Sequence, residues 1–413
     1  MLKRIAVDQL REGMFLHDLC GSWMEHPFWR LKFVLSDPRD LQRVRESGIA
    51  EVWIDTDRGL DVAGGTSEGD AIAAVERELA AAFDAEPAPP DDAAPPPSPA
   101  QALQAAADLR DKALQRVQAL FTEARMGRSI HITGCAETVE DIIDSVDRYP
   151  GTLISLLRLK TQDEYTYLHS VAVCTLMVAL ARTLRLPAAT MRELGIAGLL
   201  HDIGKARIPL AVLHKPAKLS DEEFKLIKRH PEFGFTLLRE HGTISTISLD
   251  VCLHHHEKVD GSGYPRALKA DRISLYAKMG AVCDVYDAVT SSRPYKEPWA
   301  PGEAVRQMAQ WKGHFDPTVF QAFVKTVGIY PSGTLVRLKS QRLGLVLDQT
   351  DGALLKPRVH VFLSAKTRER IPVEVVNLAQ AGGDEAIVGV ESAEAWGLRH
   401  LDRMWLEAAG AAV

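Results

Sequence analysis

The chain has 413 residues, of which 46% are hydrophobic and 25% charged, and its formal net charge is −6. These values are typical of a soluble globular protein with about two or three domains. The acidic balance argues against bulk binding to nucleic acid, which usually requires a broad basic surface. The five cysteines are odd in number and lack C-x-x-C spacing, so they predict neither a disulfide framework nor a zinc knuckle.

The sequence predicts neither a secretion signal nor a membrane span. The N-terminus, MLKRIAVDQLREG, carries charges where a signal peptide requires an apolar run. The longest apolar stretch, 171–181, is shorter than the roughly 20 residues that cross a bilayer. We therefore expect a soluble, cytoplasmic protein.

Residues 1–62 predict a small α/β domain. Residues 31–35 and 51–55 have the composition of short strands, and between them Asp37 or Asp40 can cap a helix that ends at Gly48. A linker is predicted over 63–100. Its 84–100 part is rich in proline and alanine and is expected to be extended, because it cannot bury enough apolar surface to fold.

The middle of the chain is helical by pattern. Apolar residues recur at three- and four-residue spacing over 101–126, 136–160 and 164–186. Ser220 and Glu223 form a capping-box signature for a further helix. The prediction is a connecting helix within 101–134 and an all-helical domain over 135–328.

The last part of the chain, 329–413, predicts a short β-rich extension. Apolar and polar residues alternate there in segments separated by turn residues, which is the pattern of half-buried strands. The segments are 333–338, 343–348, 358–363 and 371–376. The predicted fold class is therefore mainly α, with a small α/β domain before the helical domain and a β-rich extension after it.

Histidine and aspartate residues concentrate on the predicted helices. Eight of the fourteen histidines lie between His169 and His256. Nitrogen and oxygen ligands without thiolate favour iron, manganese or zinc. Several histidines with a carboxylate able to bridge suit a pair of metals, which is the chemistry of phosphodiester hydrolysis. The residues in this pattern are His169, His201, Asp202, His230, the run His254 to His256, Asp284 and, one turn later, Asp287.

Five segments of the chain resemble motifs of the HD-GYP family, the cyclic di-GMP phosphodiesterase branch of the HD-domain phosphohydrolases. They are YTYLHS at 165–170, HDIGK at 201–205, KRHPEFGFTLL at 228–238, HHEKVDGSGYP at 255–265 and DVYDAVTSSRPYK at 284–296. The resemblance covers about 135–330. The first 60 residues resemble the small domain often found ahead of HD-GYP domains.

The resemblance implies roles for individual residues. The metal ligands would be His169, His201, Asp202, His230, His255, His256 and Asp284. Asp202 would bridge two metals and act in catalysis together with Lys205, and the helical domain over 135–328 would be the catalytic domain. Lys205, Arg293 and Lys296 would hold substrate phosphate. The loop of Gly263, Tyr264 and Pro265 would contact the substrate or a partner protein, and His254 would be an extra histidine before the ligand pair.

The expected cofactor is a pair of divalent metals, iron or manganese. Some family members bind a third metal through a Glu four residues before the first histidine, and Tyr165 stands at that position here. A third metal is therefore not expected. The expected reaction is hydrolysis of cyclic di-GMP to pGpG, with further cleavage to GMP left open, by attack of a hydroxide that bridges the metals.

Three alternatives stay open at this point. The chain could be an HD phosphohydrolase of other nucleotides, although the GYP and RPYK segments disfavour this. It could instead be a non-catalytic cyclic-dinucleotide receptor or protein-interaction signalling module. A homodimer, formed through the helix at 101–126, or a partner signalling protein bound at the GYP loop could accompany either activity.

Overall fold

The computed structural model describes residues 2–19, 32–47, 49–67, 70, 99–128, 133–149, 151–160, 164–215, 217, 219–240, 244–291, 298–350, 353, 355–381 and 385–410. Contacts group 1–84 with 306–314 as one compact unit, and 85–305 with 315–413 as a second. The two units are described separately. The domain limits drawn from the sequence remain predictions.

The N-terminal unit contains an antiparallel sheet of five strands with the order β3-β2-β4-β1-β5. The strands are β1 (Leu2–Ala6), β2 (Phe15–Leu19), β3 (Phe33–Val34), β4 (Glu51–Asp55) and β5 (Thr66–Ser67), and α1 (Pro38–Glu46) precedes β4. The Asp37 side chain accepts a hydrogen bond from the Arg39 amide and so caps α1. Leu10, Val52 and Ile54 lie in an entirely apolar core.

Most sequence-based expectations for this unit agree with the structure. The predicted strand over 51–55 is β4, and the one over 31–35 is the two-residue β3. Strands β1 and β2 were not predicted. Gly48 and the proline-rich part of the linker before residue 99 lie outside the described residues.

Helices make up most of the second unit, which confirms the predicted fold class. They are α2 (Pro99–Arg125), α3 (Thr133–Arg148), α4 (Thr152–Leu157), α5 (Tyr165–Thr183), α6 (Ala188–Leu200), α7 (Leu210–Leu213), α8 (Asp221–Ile227), α9 (His230–Glu240), α10 (Thr246–His254), α11 (Leu275–Thr290), α12 (Pro301–Ala309) and α13 (Pro317–Val327). The periodic region 136–160 is divided between α3 and α4, and Gly151 lies at the N-cap of α4.

Helix α5 is the central helix of this unit. By length and composition alone it could cross a membrane, but 78% of its apolar window is buried inside the protein. Helix α6 packs closely on α5, since a Cβ at Gly198 would lie 2.6 Å from the Cys174 Cα. This close approach brings the end of α6 beside the start of α5.

The C-terminal sheet has five antiparallel strands with the order β10-β6-β7-β8-β9. The strands are β6 (Leu335–Leu338), β7 (Arg342–Asp348), β8 (Arg358–Ser364), β9 (Arg370–Asn377) and β10 (Ile387–Val390), followed by α14 (Leu401–Ala408). The four strands predicted from alternation correspond to β6, β7, β8 and β9. Both β10 and α14 were not predicted.

The C-terminal sheet shares one apolar core with the helices of the same unit. Leu335 and Leu345 of the sheet belong to the same buried cluster as Leu153 and Leu168. The Arg158 guanidinium adds polar contacts, donating to the Ser332 carbonyl at 3.2 Å and pairing with Asp402 at 3.2 Å. The sheet is therefore integrated into the helical unit.

Candidate metal centre

Helix ends bring the candidate residues together. His169 lies early in α5, His201 directly follows α6, His230 begins α9, and His255 directly follows α10. Asp202 precedes the short 3₁₀ helix Ile203–Arg207, and Asp284 lies within α11. All six of these side chains are buried.

The Asp202 carboxylate faces histidines on two sides. Its Oδ1 lies 3.1 Å from His230 Nε2, while its Oδ2 lies 3.5 Å from His169 Nε2 and 3.4 Å from His201 Nε2. One carboxylate therefore presents a different oxygen to each of two histidine groups, which is the geometry that bridging requires.

Asp284 has the same two-sided arrangement. Its Oδ1 lies 3.0 Å from His169 Nε2 and 3.9 Å from His201 Nε2, and its Oδ2 lies 3.6 Å from His256 Nδ1. The cluster thus has two possible ligand groups, each with donor atoms within 4.8 Å of one another. They are His169, His201 and Asp202, and His230, His255 and His256.

Backbone carbonyls orient three of the histidines. His201 Nδ1 bonds the Gly198 carbonyl at 2.8 Å, His230 Nδ1 bonds the Ile227 carbonyl at 2.7 Å, and His255 Nδ1 bonds the Val251 carbonyl at 3.0 Å. A carbonyl only accepts, so Nδ1 carries the proton in each ring. Each Nε2 is directed into the cluster, where it offers a lone pair when the ring is neutral.

Burial and charge keep the cluster in a state suited to metal binding. Burial lowers the pKa of His255 to about 3, and repulsion from His201 and His230 adds to this. Burial likewise holds the pKa of His256 well below its usual range. Burial alone would raise the pKa of Asp202, but Lys205 and the neighbouring His201 and His230 together outweigh it and hold that pKa well below normal. Neutral imidazoles and ionised carboxylates are the forms that bind metals.

His169 differs from its neighbours. Burial opposes its protonation, but hydrogen bonds to Asp284 and Asp287 outweigh this and raise its pKa. Its Nδ1 lies 2.6 Å from Asp287 Oδ2. His169 is therefore the histidine of the cluster that carboxylates hold most strongly.

The donor set fits divalent metals. His201 Nε2 and Asp202 Oδ1 are buried polar atoms without a hydrogen-bond partner of acceptable geometry. Unpartnered buried polar atoms are rare, because they lose their hydration without compensation. Both atoms point into the cluster, and a metal ion is the ligand that would satisfy a ring nitrogen and a carboxylate oxygen together.

Lys205 and Tyr165 lie at the edge of the cluster. Lys205 Nζ lies 2.5 Å from Asp202 Oδ2, and its side chain is 22% exposed. Tyr165 stacks on His169, with ring centroids 5.7 Å apart and an interplanar angle of 8°. Glu164 lies at the N-cap of α5, so an aromatic ring, and not a carboxylate, covers this side of His169.

The GYP loop lies directly against the cluster. The Tyr264 ring stacks on His256 with centroids 4.7 Å apart, and the Tyr264 amide donates to the His256 carbonyl at 3.1 Å. A Cβ at Gly263 would lie 2.3 Å from the Lys258 amide nitrogen, so only glycine fits there. Pro265 follows through a cis peptide bond.

The predicted site residues thus come together, with two exceptions. Arg293 and Lys296 lie outside the described residues. His254, expected to be extra, points away and bonds Asp250 Oδ1 at 2.8 Å.

Sequence reasoning gave no role to Lys160 or to Asp287, which lies one turn after Asp284. The D-x-x-D spacing on α11 was a usable signal for Asp287, whereas Lys160 lies in no motif.

Comparison with known families and proteins agrees with this geometry. The family model described as "HD domain" matches residues 142–319, and a "Domain of unknown function (DUF3391)" matches residues 2–135. The chain therefore combines an HD domain with a separate, recurrent N-terminal domain.

Three curated relatives extend the comparison. A cyclic di-GMP phosphodiesterase of Pseudomonas aeruginosa is 53% identical over 98% of this chain and 96% of its own length. A cyclic di-GMP phosphodiesterase of Thermotoga maritima is 35% identical over 46% of this chain and 52% of its own. A 3′3′-cGAMP-specific phosphodiesterase of Vibrio cholerae is 39% identical over 30% of this chain and 24% of its own. The chain belongs to the HD-GYP family of HD-domain phosphohydrolases.

Proposed function

We propose that this protein is a metal-dependent phosphodiesterase that hydrolyses cyclic di-GMP. The observation that carries the proposal is the buried cluster in which Asp202 presents one oxygen to His230 and the other to His169 and His201. A relative that is 53% identical over nearly the whole chain carries the name of this activity.

The proposed cofactor is two divalent metal ions, iron or manganese. One would be held by His169, His201 and Asp202, the other by His230, His255 and His256, with Asp202 shared and Asp284 beside both. When bound, two such metals lower the pKa of a water molecule and neutralise charge that develops on a phosphate. The stacking of Tyr165 on His169 supports a two-metal centre over a three-metal one.

The chain's own residues bind and orient the substrate. Lys205 has a partly exposed ammonium group at the rim of the cluster, where it can hold a non-bridging phosphate oxygen. Tyr264, stacked on His256, is placed to contact the substrate beside the cluster. Arg293 and Lys296 are proposed to hold the outer part of the dinucleotide, on the strength of the family motif alone.

The proposed products are pGpG and, after a second cleavage, GMP. The 3′3′-cGAMP-specific relative makes the related mixed cyclic dinucleotide a second substrate to test. We also propose that the protein acts in the cytoplasm, and that the GYP loop or the helix α2 offers a surface for a second copy or a signalling partner.

Two adjacent histidines provide a sharp test. His255 faces the cluster, whereas His254 bonds Asp250 outside it. Full-length protein would be reconstituted with Mn²⁺ or Fe²⁺ under anaerobic conditions, its metal counted, and its products from cyclic di-GMP, 3′3′-cGAMP and a nucleotide panel separated. Wild type and His254→Ala are expected to release pGpG or GMP, and His255→Ala is not.

Other outcomes would redirect the assignment. Fully metallated protein that binds cyclic di-GMP without cleaving it would favour the receptor. Cleavage of ordinary nucleotides alone would favour a different HD phosphohydrolase. Equal activity in His254→Ala and His255→Ala would remove the cluster from the mechanism.

A further inference from the structure

Lys160 forms an ion pair with Asp287 in the interior of the helical unit. Its Nζ lies 2.6 Å from Oδ1 and 2.8 Å from Oδ2, and the two side chains are 0% and 4% exposed. Lys160 lies between α4 and α5, outside every motif that carries the family resemblance. Burying an ammonium group is costly unless its hydrogen bonds are satisfied, so this pair requires an explanation.

The pair is connected to the metal centre through one histidine. Asp287 Oδ2 lies 2.6 Å from His169 Nδ1, and His169 Nε2 lies 3.0 Å from Asp284 Oδ1. The ionised carboxylate only accepts hydrogen bonds, so Nδ1 of His169 must donate to it, which is the tautomer that offers Nε2 to a metal when one is bound.

His169 needs a support that its neighbours do not. His201, His230 and His255 each bond a carbonyl three or four residues earlier in their own chain segment, which is fixed by local backbone structure. His169 instead bonds a side chain on another helix. An aspartate can rotate about its χ angles, so its direction must be fixed by further contacts.

We propose that Lys160 is a positioning residue of the metal centre, which fixes the Asp287 carboxylate and thereby the tautomer and direction of His169. This inference rests on the proposed function, because it assigns His169 to a metal. A bidentate contact to both oxygens defines the plane of the carboxylate, and Ser291 Oγ, 3.4 Å from Oδ1, adds a weaker contact on the same side.

The competing explanation is an ion pair that only stabilises the fold. The two explanations predict different effects of mutating Lys160 on the metal affinity of correctly folded protein. If the pair only stabilises the fold, that affinity should not change. Mutations of groups that orient metal ligands typically weaken metal binding by about 10- to 100-fold.

The first experiment measures Mn²⁺ binding to full-length Lys160→Met and Lys160→Arg by equilibrium dialysis. One of the two Mn²⁺ ions is expected to bind about 10- to 100-fold more weakly to Lys160→Met, with Lys160→Arg close to wild type. Lys278→Met is the matched control. It breaks a Lys–Asp pair with Asp316, 3.0 Å apart, whose lysine lies on the same helix as Asp287. Unchanged Mn²⁺ affinity in folded Lys160→Met would overturn the proposal.

A second comparison avoids the unpaired charge that could unfold Lys160→Met. In Asp287→Asn, the new side chain has one oxygen that can accept a hydrogen bond. The Lys160 ammonium and His169 Nδ1 are both donors and both require that oxygen, so the NH₂ group of Asn must face one of them. Removing the ammonium in Lys160→Met/Asp287→Asn frees that oxygen for His169. The double variant is therefore expected to bind Mn²⁺ more tightly than Asp287→Asn.

An equal or weaker affinity in the double variant would refute the positioning role. Neither measurement uses a substrate. If wild type binds Mn²⁺ but leaves cyclic dinucleotides intact, the proposed function fails while the role of Lys160 is still decided.

Discussion

The interiors of the two units differ in what they bury. The N-terminal unit has an apolar core within residues 2–67, whose described part contains no buried polar or charged side chain, while its segment 306–314 buries Gln310 and His314. The helical unit buries five charged or titratable groups around His169 alone: Lys160, His201, Asp202, Asp284 and Asp287. Burying such groups costs free energy. The apolar interior of residues 2–67 is explained by stability alone. The polar interior around His169 is unfavourable for stability and therefore requires a functional explanation.

The largest effect is expected from Asp202→Ala. This change removes the carboxylate that faces both histidine groups and leaves Lys205 and three histidines without it. Shared metal ligation is worth several kcal/mol to a phosphoryl transition state, so kcat is expected to fall at least about 10³-fold. Product formation and metal content would be measured on the same preparation.

Folding must be preserved for this result to count. Removing Asp202 leaves Lys205 without its counter-charge, so the circular dichroism of Asp202→Ala must match that of wild type before the loss of turnover is assigned to the metal centre. Full turnover in this variant would mean that the polar interior serves the fold, and the contrast between the two units would disappear.

The next largest effect is expected from Gly204→Ala. A Cβ at this position would lie 1.9 Å from the His230 carbonyl and 2.5 Å from the Gly234 amide, so the backbone carrying His230 must move. Overpacking of this kind costs about 1–3 kcal/mol. Both thermal stability and Mn²⁺ affinity should fall. In the control Gly134→Ala the Cβ meets open space, and both quantities should stay near wild type.

The histidine and aspartate residues of the site were predictable because their motifs are local in sequence. Candidates such as His201 and His230 lie at or next to a helix end, and helix ends can be inferred from apolar periodicity and caps such as Ser220. The strands β6 to β9 were predictable for a similar reason, since alternation is a local pattern.

The missed features depend on distant contacts. Strand β1 has one buried residue, Ile5, and becomes a strand by pairing with both β4 and β5. Lys160 acquires its partner 127 residues later in the chain, on α11. Neither pairing leaves a periodic signal, because it is the fold and not the local sequence that brings the partners together.

A smaller effect, confined to stability, is expected from Leu10→Ala in the N-terminal unit. Leu10 is fully buried in the apolar core, and removing its side chain should cost about 2–5 kcal/mol of that unit's unfolding free energy. Denaturation would be followed together with Mn²⁺ affinity, which should not change. Leu60→Ala, at a position that is 58% exposed, is the control. A loss of metal affinity in Leu10→Ala would mean that the apolar interior also supports the metal centre.

The smallest effect is expected from Arg125→Ala, at the end of α2. The Arg125 guanidinium donates to the Ile208 carbonyl at 2.9 Å and to the Lys205 carbonyl at 3.3 Å, and so ties α2 to the segment that carries Lys205. A hydrogen bond of this kind is worth about 1 kcal/mol, so kcat/KM should fall about three- to tenfold. Mn²⁺ affinity should be unchanged, because Arg125 bonds no proposed ligand.

The exposed Arg128, three residues later, gives a charge-matched control in Arg128→Ala. If Arg125→Ala lowers Mn²⁺ affinity as well, the 3₁₀ helix Ile203–Arg207 must hold Asp202 and Lys205 as one rigid element. If only kcat/KM falls, Lys205 moves independently of the ligands, and α2 acts on substrate binding alone. An unchanged kcat/KM would mean that the backbone of Lys205 needs no support from α2. Within this interior, only the polar groups around His169 and Asp202 would then be required for activity.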